Sequence, residues 1–305
     1  MNISFRQLRL FKALAETGSV TAAARVMHVT QPTASMQLKE LSHNVGMTLF
    51  EFVGKKLYLT EAGKHLAESA QSISQEWESF EQSIAAMNGL KRGTLRIAVV
   101  STAKYFIPGL VGSFCKDYPN VDIALEVLNR DAVVTRLENN MDDMVIMTQP
   151  PSHIEIQDEV FLDNPLVCVA PKNHPMKDKK ISIDDLANDY FVMREEGSGT
   201  RMSCDAFFKN KKITPKIRLT LGSNEAIKQS VSSGLGLSIV SIHSLTEYDL
   251  RETVCILKVK DFPIPSQWHI VTTKGKKLSP IAKIFHDQLL TKAKEINANA
   301  KQNNL

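Results

Sequence analysis

No stretch of the 305 residues approaches the roughly 18 to 20 consecutive apolar residues that a membrane span needs. The opening MNISFRQLRLF is amphipathic and lacks the apolar core of a signal peptide, so a soluble, cytoplasmic protein is expected. Cysteine is scarce. Cys115, Cys168, Cys204 and Cys255 lie far apart and form no C-x-x-C, which fits a reduced compartment and buried thiols rather than a disulfide framework. Catalytic signatures are missing as well. There is no G-x-x-x-x-G-K-[ST] loop and no H-E-x-x-H. Gly197-x-Gly199 has Met202 where a third glycine would complete a dinucleotide fingerprint, and Gly234-x-Gly236 has Ile239. The Ser, His and Asp residues form no recognisable catalytic order. No catalysis, metal or resident cofactor is expected.

What is present suits two or three domains with real cores, since 43% of the residues are hydrophobic. The formal net charge is only +4, but its distribution is uneven. Residues 1–60 hold seven basic side chains (Arg6, Arg9, Lys12, Arg25, Lys39, Lys55, Lys56) against Glu16, Glu40 and Glu51. That local excess favours an anionic partner, usually nucleic acid.

Within these sixty residues three helices are predicted. Ser4 caps the first, whose apolar face is Phe5, Leu8, Phe11, Leu14 and Ala15, and Gly18 stops it. Ser19 caps a second, rich in small Ala22, Ala23 and Ala24. After a short break at His28–Val29, Thr30 caps a third, with Pro32 in its first turn. Ala34, Leu38 and Leu41 should face the core, leaving Gln31, Thr33, Ser35, Met36 and Lys39 outside. A helix that enters a DNA major groove by its N-terminal turns needs such amide and hydroxyl side chains there. Two β-prone pieces then flank Val53-Gly54-Lys55-Lys56, a basic hairpin tip placed to touch phosphates. A helical domain with a solvated basic loop is the alternative. FRQLRLFKALAETGSVTAAARVMHVTQPTASMQLKELSHNVGMTLFEFVGKKLYLTEAG resembles the winged helix–turn–helix of LysR-type transcriptional regulators, with TQPTAS and LTEAG its most specific parts. The resemblance implies promoter DNA as partner and Thr30, Gln31, Pro32, Thr33, Ser35, Gln37, Lys39, Lys55 and Lys56 as contacts. Phe52 departs from the family's basic residue after the LF pair.

From Glu61 to Asn88 there is no proline, and Leu66, Ala70, Ile73, Trp77, Phe80, Ile84 and Met87 alternate at spacings of four and three. That predicts a coiled-coil linker helix over 61–90, hence a homodimer or homotetramer; a long amphipathic helix packed on its own domain is the alternative. NGLKRG should end it, and the tail KEINANAKQNNL reads as frayed and polar.

From Thr94 onward short apolar runs alternate with helical segments, which predicts parallel βα units. LRIAVV, VDIALEVL, DMVIM, LVCVA, YFVMR, IRLTL, LSIVS, VCILKV and WHIVTT are the strands. Prolines near 162–165 and 262–267 suggest two chain crossings between two lobes, 91–164 with 267–305 and 165–266. Three turns could seat an anion by free helix N–H groups and hydroxyls: VVSTAKYF, REEGSGTR and GSNEAIKQ. Ordinary helix capping is the alternative for each. VVSTAKYFIPGLVGSF, REEGSGTR and SNEAIKQSVSSGLGLSIVSIHSL resemble the effector domain of the Calvin-cycle operon activators, a LysR-type subgroup, and the similarity runs through most of residues 1–290. TQPPSH and KDKKIS vary from the usual run.

The resemblance implies an α/β fold: an N-terminal winged helix–turn–helix, a long linker helix and a two-lobed, periplasmic-binding-protein-like effector domain. It implies a small anionic effector, namely a phosphorylated metabolite, NADPH or a carboxylate. Ser101, Thr102, Lys104, Gln149, Gly197, Ser198, Gly199, Thr200, Arg201, Asn224 and Glu225 would be its contacts, with RNA polymerase as a further candidate partner. A solute-binding protein would share the lobes but has no use for residues 1–60. An α/β enzyme would need a convergent catalytic set.

Overall fold

The computed structural model describes residues 2–54, 56–87 and 92–302, and these form two compact units that part after Asn88. In the first, α1 (Phe5–Thr17) opens on a capping box: Ser4 Oγ accepts from the Gln7 amide and Gln7 Oε1 accepts from the Ser4 amide. Gly18 ends it in the left-handed conformation. α2 (Val20–Val26) is capped by Ser19 and α3 (Gln31–Val45) by Thr30. The core stripe of α1 is Leu10, Phe11, Ala13 and Leu14, one position round from the predicted face; Phe5, Leu8 and Ala15 are half-buried. On α3, Ala34, Leu38 and Leu41 are buried as their spacing requires.

β1 (Phe50–Val53) and β2 (Lys56–Leu59) pair antiparallel from Phe50↔Leu59 to Val53↔Lys56, which makes the predicted wing. Gly54, at φ 65°, turns it. α4 (Glu61–Met87) follows, with Thr60 Oγ1 accepting from the Gly63 amide at its start. Leu66 joins the core of the first unit and Ala70 is buried. The rest of the heptad seam is open: Ile73, Trp77, Phe80, Ile84 and Met87 are 44%, 49%, 52%, 43% and 81% exposed. The seam therefore divides, its first turns packed on their own domain and its last four turns largely open, with Trp77 against Phe5. The expected linker at 88–91 lies outside the described residues.

The second unit carries two lobes. In lobe I, β3 (Gly93–Val100), α5 (Ile107–Asp117), β4 (Val121–Leu128), α6 (Arg130–Glu138), β5 (Met144–Met147) and β6 (Ile156–Asp163) precede the first crossing. Lobe II holds β7 (Leu166–Pro171), β8 (Lys180–Ile181), β9 (Tyr190–Arg194), α7 (Gly199–Lys211), β10 (Lys216–Leu221), α8 (Asn224–Ser232), β11 (Ser238–Ser241), β12 (Val254–Ile256) and β13 (Lys258–Val259). The chain returns to lobe I as β14 (Gln267–Thr273) and α9 (Pro280–Gln302). The lobe I sheet has the order β4-β3-β5-β14-β6.

The sheets are mixed, not purely parallel. β3 is parallel to β4 and β5, but β14 is antiparallel to both β5 and β6. β11 and β12 are antiparallel to β7. Strands that return after a crossing enter from the opposite end, so simple βα repetition cannot hold. β7 shows how lobe II is packed on both sides. Leu166, Cys168 and Ala170 face one core cluster, with Cys204 and Phe208 of α7, while Val167 and Val169 face another, with Ile227 and Val231 of α8. A 3-10 turn at Asp184–Leu186 precedes β9. The tail is helical to Gln302 rather than frayed: apart from Pro280, its N-terminal residue, α9 contains no glycine or proline.

Candidate functional site

Two regions gather the expected residues. On the first unit, the open face of α3 presents Gln31, Pro32, Met36 and Lys39 exposed, with Thr33 and Ser35 half-buried beside them. Thr30 Oγ1 and Thr33 Oγ1 are 2.8 Å apart, and Gln31 Nε2 donates to Ser35 Oγ at 3.1 Å. One turn of helix separates Gln31 from Ser35, so this bond holds both side chains on one side of the helix start. Gln37 fits the expected role less well. It is half-buried, and its Oε1 is shut off from solvent without a hydrogen-bond partner. Lys56 is exposed on the wing, Lys55 lies outside the described residues, and Phe52 is exposed where the family carries a basic side chain.

The second region lies between the lobes. β3 ends in a 3-10 turn, Ser101–Tyr105, on which Thr102 is buried. Facing it are the N-termini of α7, capped by Ser198, and α8, capped by Ser223. Close approach dictates the glycines of REEGSGTR. A Cβ on Gly199 would stand 2.1 Å from Thr148 Oγ1, and one on Gly197, at φ 83°, would stand 3.2 Å from the Asp131 carboxylate. Thr148 and Asp131 belong to lobe I, so both glycines mark a cross-lobe contact. Gln149 adds another. Its Nε2 donates to Ser203 Oγ of α7 at 3.2 Å, while its own carbonyl, at a φ of 54°, accepts two bonds from Arg130. A cavity of about 660 Å³ opens at the crossings beside Gln149, Pro150, Asp163, Pro165, Gln267 and His269.

The cations are arranged differently from the sequence expectation. Arg201 does not present a free guanidinium. Its Nε donates to Asp205 and its Nη1 to the Arg194 carbonyl at 3.0 Å, because the first turn of α7 folds it back onto the end of β9. A more deeply buried side chain that bridges the lobes is Arg194, only 3% exposed. Its guanidinium donates to Ser101 Oγ of lobe I at 3.1 Å, to Asn224 Oδ1 at 3.0 Å, and in bidentate fashion to Glu195 at 2.7 and 2.8 Å. A charged residue closing the buried run Phe191, Val192 and Met193 was the one signal that could have revealed it.

Lys104 is spoken for as well: its Nζ lies 2.8 Å from Glu225 Oε2, and Tyr105 Oη donates to Glu225 Oε1 at 2.5 Å. Burial would raise the Glu225 pKa, but hydrogen bonds from Lys104 and Tyr105 outweigh it and bring it down to about 2. Burial and the bond to Glu225 push the Tyr105 phenol well above its usual value, so it stays a donor. Glu225, expected as a direct contact for an anion, is instead a carboxylate that already accepts from Lys104 and Tyr105 of the lobe I turn. Ser198 and Thr200 are buried at the α7 start, and Asn224 is buried under Arg194.

Among the described residues no group of three or more His, Cys, Asp or Glu side chains could hold a metal ion, and no helix is long and apolar enough to cross a membrane. The cysteines are free, and burial pushes the Cys168 thiol up to about 12.

Comparison with known proteins gives a match for each unit. Residues 5–64 match the model of the bacterial regulatory helix-turn-helix protein, lysR family, and residues 88–294 match the LysR substrate binding domain. The HTH-type transcriptional activator CmpR of Synechocystis sp. is 42% identical over 289 residues, 94% of this chain and 95% of CmpR. A RuBisCO operon transcriptional regulator of Allochromatium vinosum is 42% identical over 96% of this chain and 97% of its own length. The regulatory domain of Synechocystis CcmR, solved in complex with 2-PG, is 42% identical with a TM-score of 0.64, covering 66% of this chain and 97% of that one. These relatives are transcriptional regulators, not enzymes, and this chain belongs to the LysR family of DNA-binding transcriptional regulators.

Proposed function

We propose that this regulator controls carbon-fixation genes in the cytoplasm and that a small phosphorylated anion of the 2-phosphoglycolate kind gates it from the cleft between its lobes. The observation that carries this is the likeness to a regulatory domain bound to 2-PG at 42% identity, in a chain whose own cleft gathers buried hydroxyls and an arginine. Ser101, Thr102, Ser198 and Thr200 supply hydroxyls and helix N–H groups, and Arg194 and Lys104 supply charge. NADPH and plain carboxylates are the alternative ligands. On DNA, Thr30, Gln31, Pro32, Thr33, Ser35 and Lys39 meet the major groove, and Lys56 meets phosphate from the wing. The exposed seam of α4 meets a second copy, so that two recognition helices face two half-sites.

Calorimetric titration of the full-length protein with 2-phosphoglycolate, NADPH and simple dicarboxylates, followed by footprinting on its own promoters, tests the reading. Binding of the phosphorylated ligand with a changed footprint is expected. Binding of none of them, or a footprint indifferent to all, would sink it.

A further inference from the structure

Glu225 poses a question for any anion site. It stands at the N-terminus of α8 in lobe II, beside Asn224, which holds Arg194. Its carboxylate reaches across to the lobe I turn that carries Ser101 and Thr102. There it accepts from Lys104 Nζ at 2.8 Å and Tyr105 Oη at 2.5 Å, and from Ser223 Oγ at 3.1 Å within its own cap. A carboxylate is well placed at a helix N-terminus, and here it also neutralises a cation of the opposite lobe. The donors that would receive a phosphate or carboxylate group are thus filled by a side chain of the same charge. Two anions cannot share them without repulsion at close range.

We propose that Glu225 is a built-in competitor of the effector: in the ligand-free protein its carboxylate occupies Lys104 and Tyr105, and an incoming anion must displace it. The inference rests on the reading of the cleft as an anion site. It assigns Glu225 a role in setting how much effector the regulator needs. The apparent affinity is the intrinsic affinity reduced by the fraction of molecules whose donors are free. A purely structural ion pair, half-exposed as this one is, would contribute little, and its loss could only loosen the cleft. The two roles predict effects of opposite sign.

The experiment is calorimetric titration of full-length wild type and variants with 2-phosphoglycolate at one fixed salt concentration. Glu225→Gln keeps the size and a hydrogen-bonding oxygen but removes the charge, and it should bind roughly tenfold tighter if about nine molecules in ten hold the tie closed. Tyr105→Phe removes a donor that Glu225 and the anion both use, so it should change the affinity by less than Glu225→Gln does. Lys104→Met should bind more weakly, and the Glu225→Gln, Lys104→Met double variant should lose the gain. Tighter binding by Glu225→Gln, or binding seen in it alone, supports the proposal. Unchanged or weaker binding by Glu225→Gln, with wild type binding normally, overturns the competitor and leaves the anion site standing. No binding by any of the proteins overturns both.

Discussion

Gln31 and Lys56 are both polar and both exposed, yet they should fail differently. Gln31 sits in the first turn of α3, held by Ser35, where an amide can pair with an adenine edge. Gln31→Ala should cost about 1–3 kcal/mol on a cognate site and relax specificity there. Lys56 presents a point charge from the wing. Lys56→Ala should weaken binding to all sequences and reduce the salt slope by about one unit. Titrations of both variants on cognate and random DNA at several salt concentrations separate the two, and equal losses on both DNAs would refute the assignment. Single residues were legible in the sequence where their partners are local. Ser4, Ser19, Thr30, Ser198 and Ser223 are N-caps whose partners lie three residues on. Arg194 was not, since Ser101 is 93 residues away and Asn224 is 30. A side chain whose role depends on the meeting of two lobes leaves only its odd chemistry in the local pattern.

Helices and strands were legible in proportion to the burial that imposes a period. The α3 core stripe and the doubly buried β7 stand out because almost every alternate or third residue is apolar. β6 was missed, since its IQDEVFLD is mostly exposed and charged at the edge of the sheet, where charge discourages further pairing. α4 was read as a helix, but its single glycine carries more than the pattern suggests. A Cβ on Gly63 would stand 1.8 Å from the Leu49 carbonyl oxygen, which also accepts from the Thr60 amide, so the helix must lie against bare backbone there. Gly63→Ala should therefore destabilise the winged domain by about 1–3 kcal/mol despite alanine's better helix propensity. Gly112→Ala on α5, where nothing lies within 4 Å, should instead stabilise by about 0.5–1 kcal/mol. Chemical denaturation of the two variants is the check, and equal effects would mean that backbone contact at Gly63 does not matter. Further along α4, Trp77 lies against Phe5 and Phe80 yet remains half-exposed with Ile73 and Ile84. An Ile73→Glu, Phe80→Glu double variant should sediment as a monomer and bind DNA poorly. A double variant that still sediments as the wild-type oligomer would place subunit contacts elsewhere.

At the scale of the whole molecule, the lobes can serve as a switch only if a ligand favours one arrangement over another. Arg194 is the side chain best placed to register that choice. It is buried, it contacts Ser101 in lobe I and Asn224 in lobe II, and its carbonyl is held by Arg201. Lysine could not replace it, because one ammonium cannot span Glu195, Ser101 and Asn224 as a planar fork does. Arg194→Met keeps the bulk and removes every one of these side-chain bonds. Glu195 is partly exposed and can turn to water, so the cost falls below that of breaking a fully buried pair, at about 2 kcal/mol. For a unit of this size that is a drop in Tm of roughly 4–8 °C. The functional loss should be larger than the loss of stability suggests. Without Arg194 the cation left beside Ser101 and Thr102 is Lys104, and Lys104 is held by Glu225. Arg194→Met and Arg194→Lys should therefore both lose calorimetric binding of 2-phosphoglycolate, at a temperature where each is fully folded by circular dichroism. A folded Arg194→Met protein that binds the ligand as wild type does would remove Arg194 from the site and return the anion's charge to other cations.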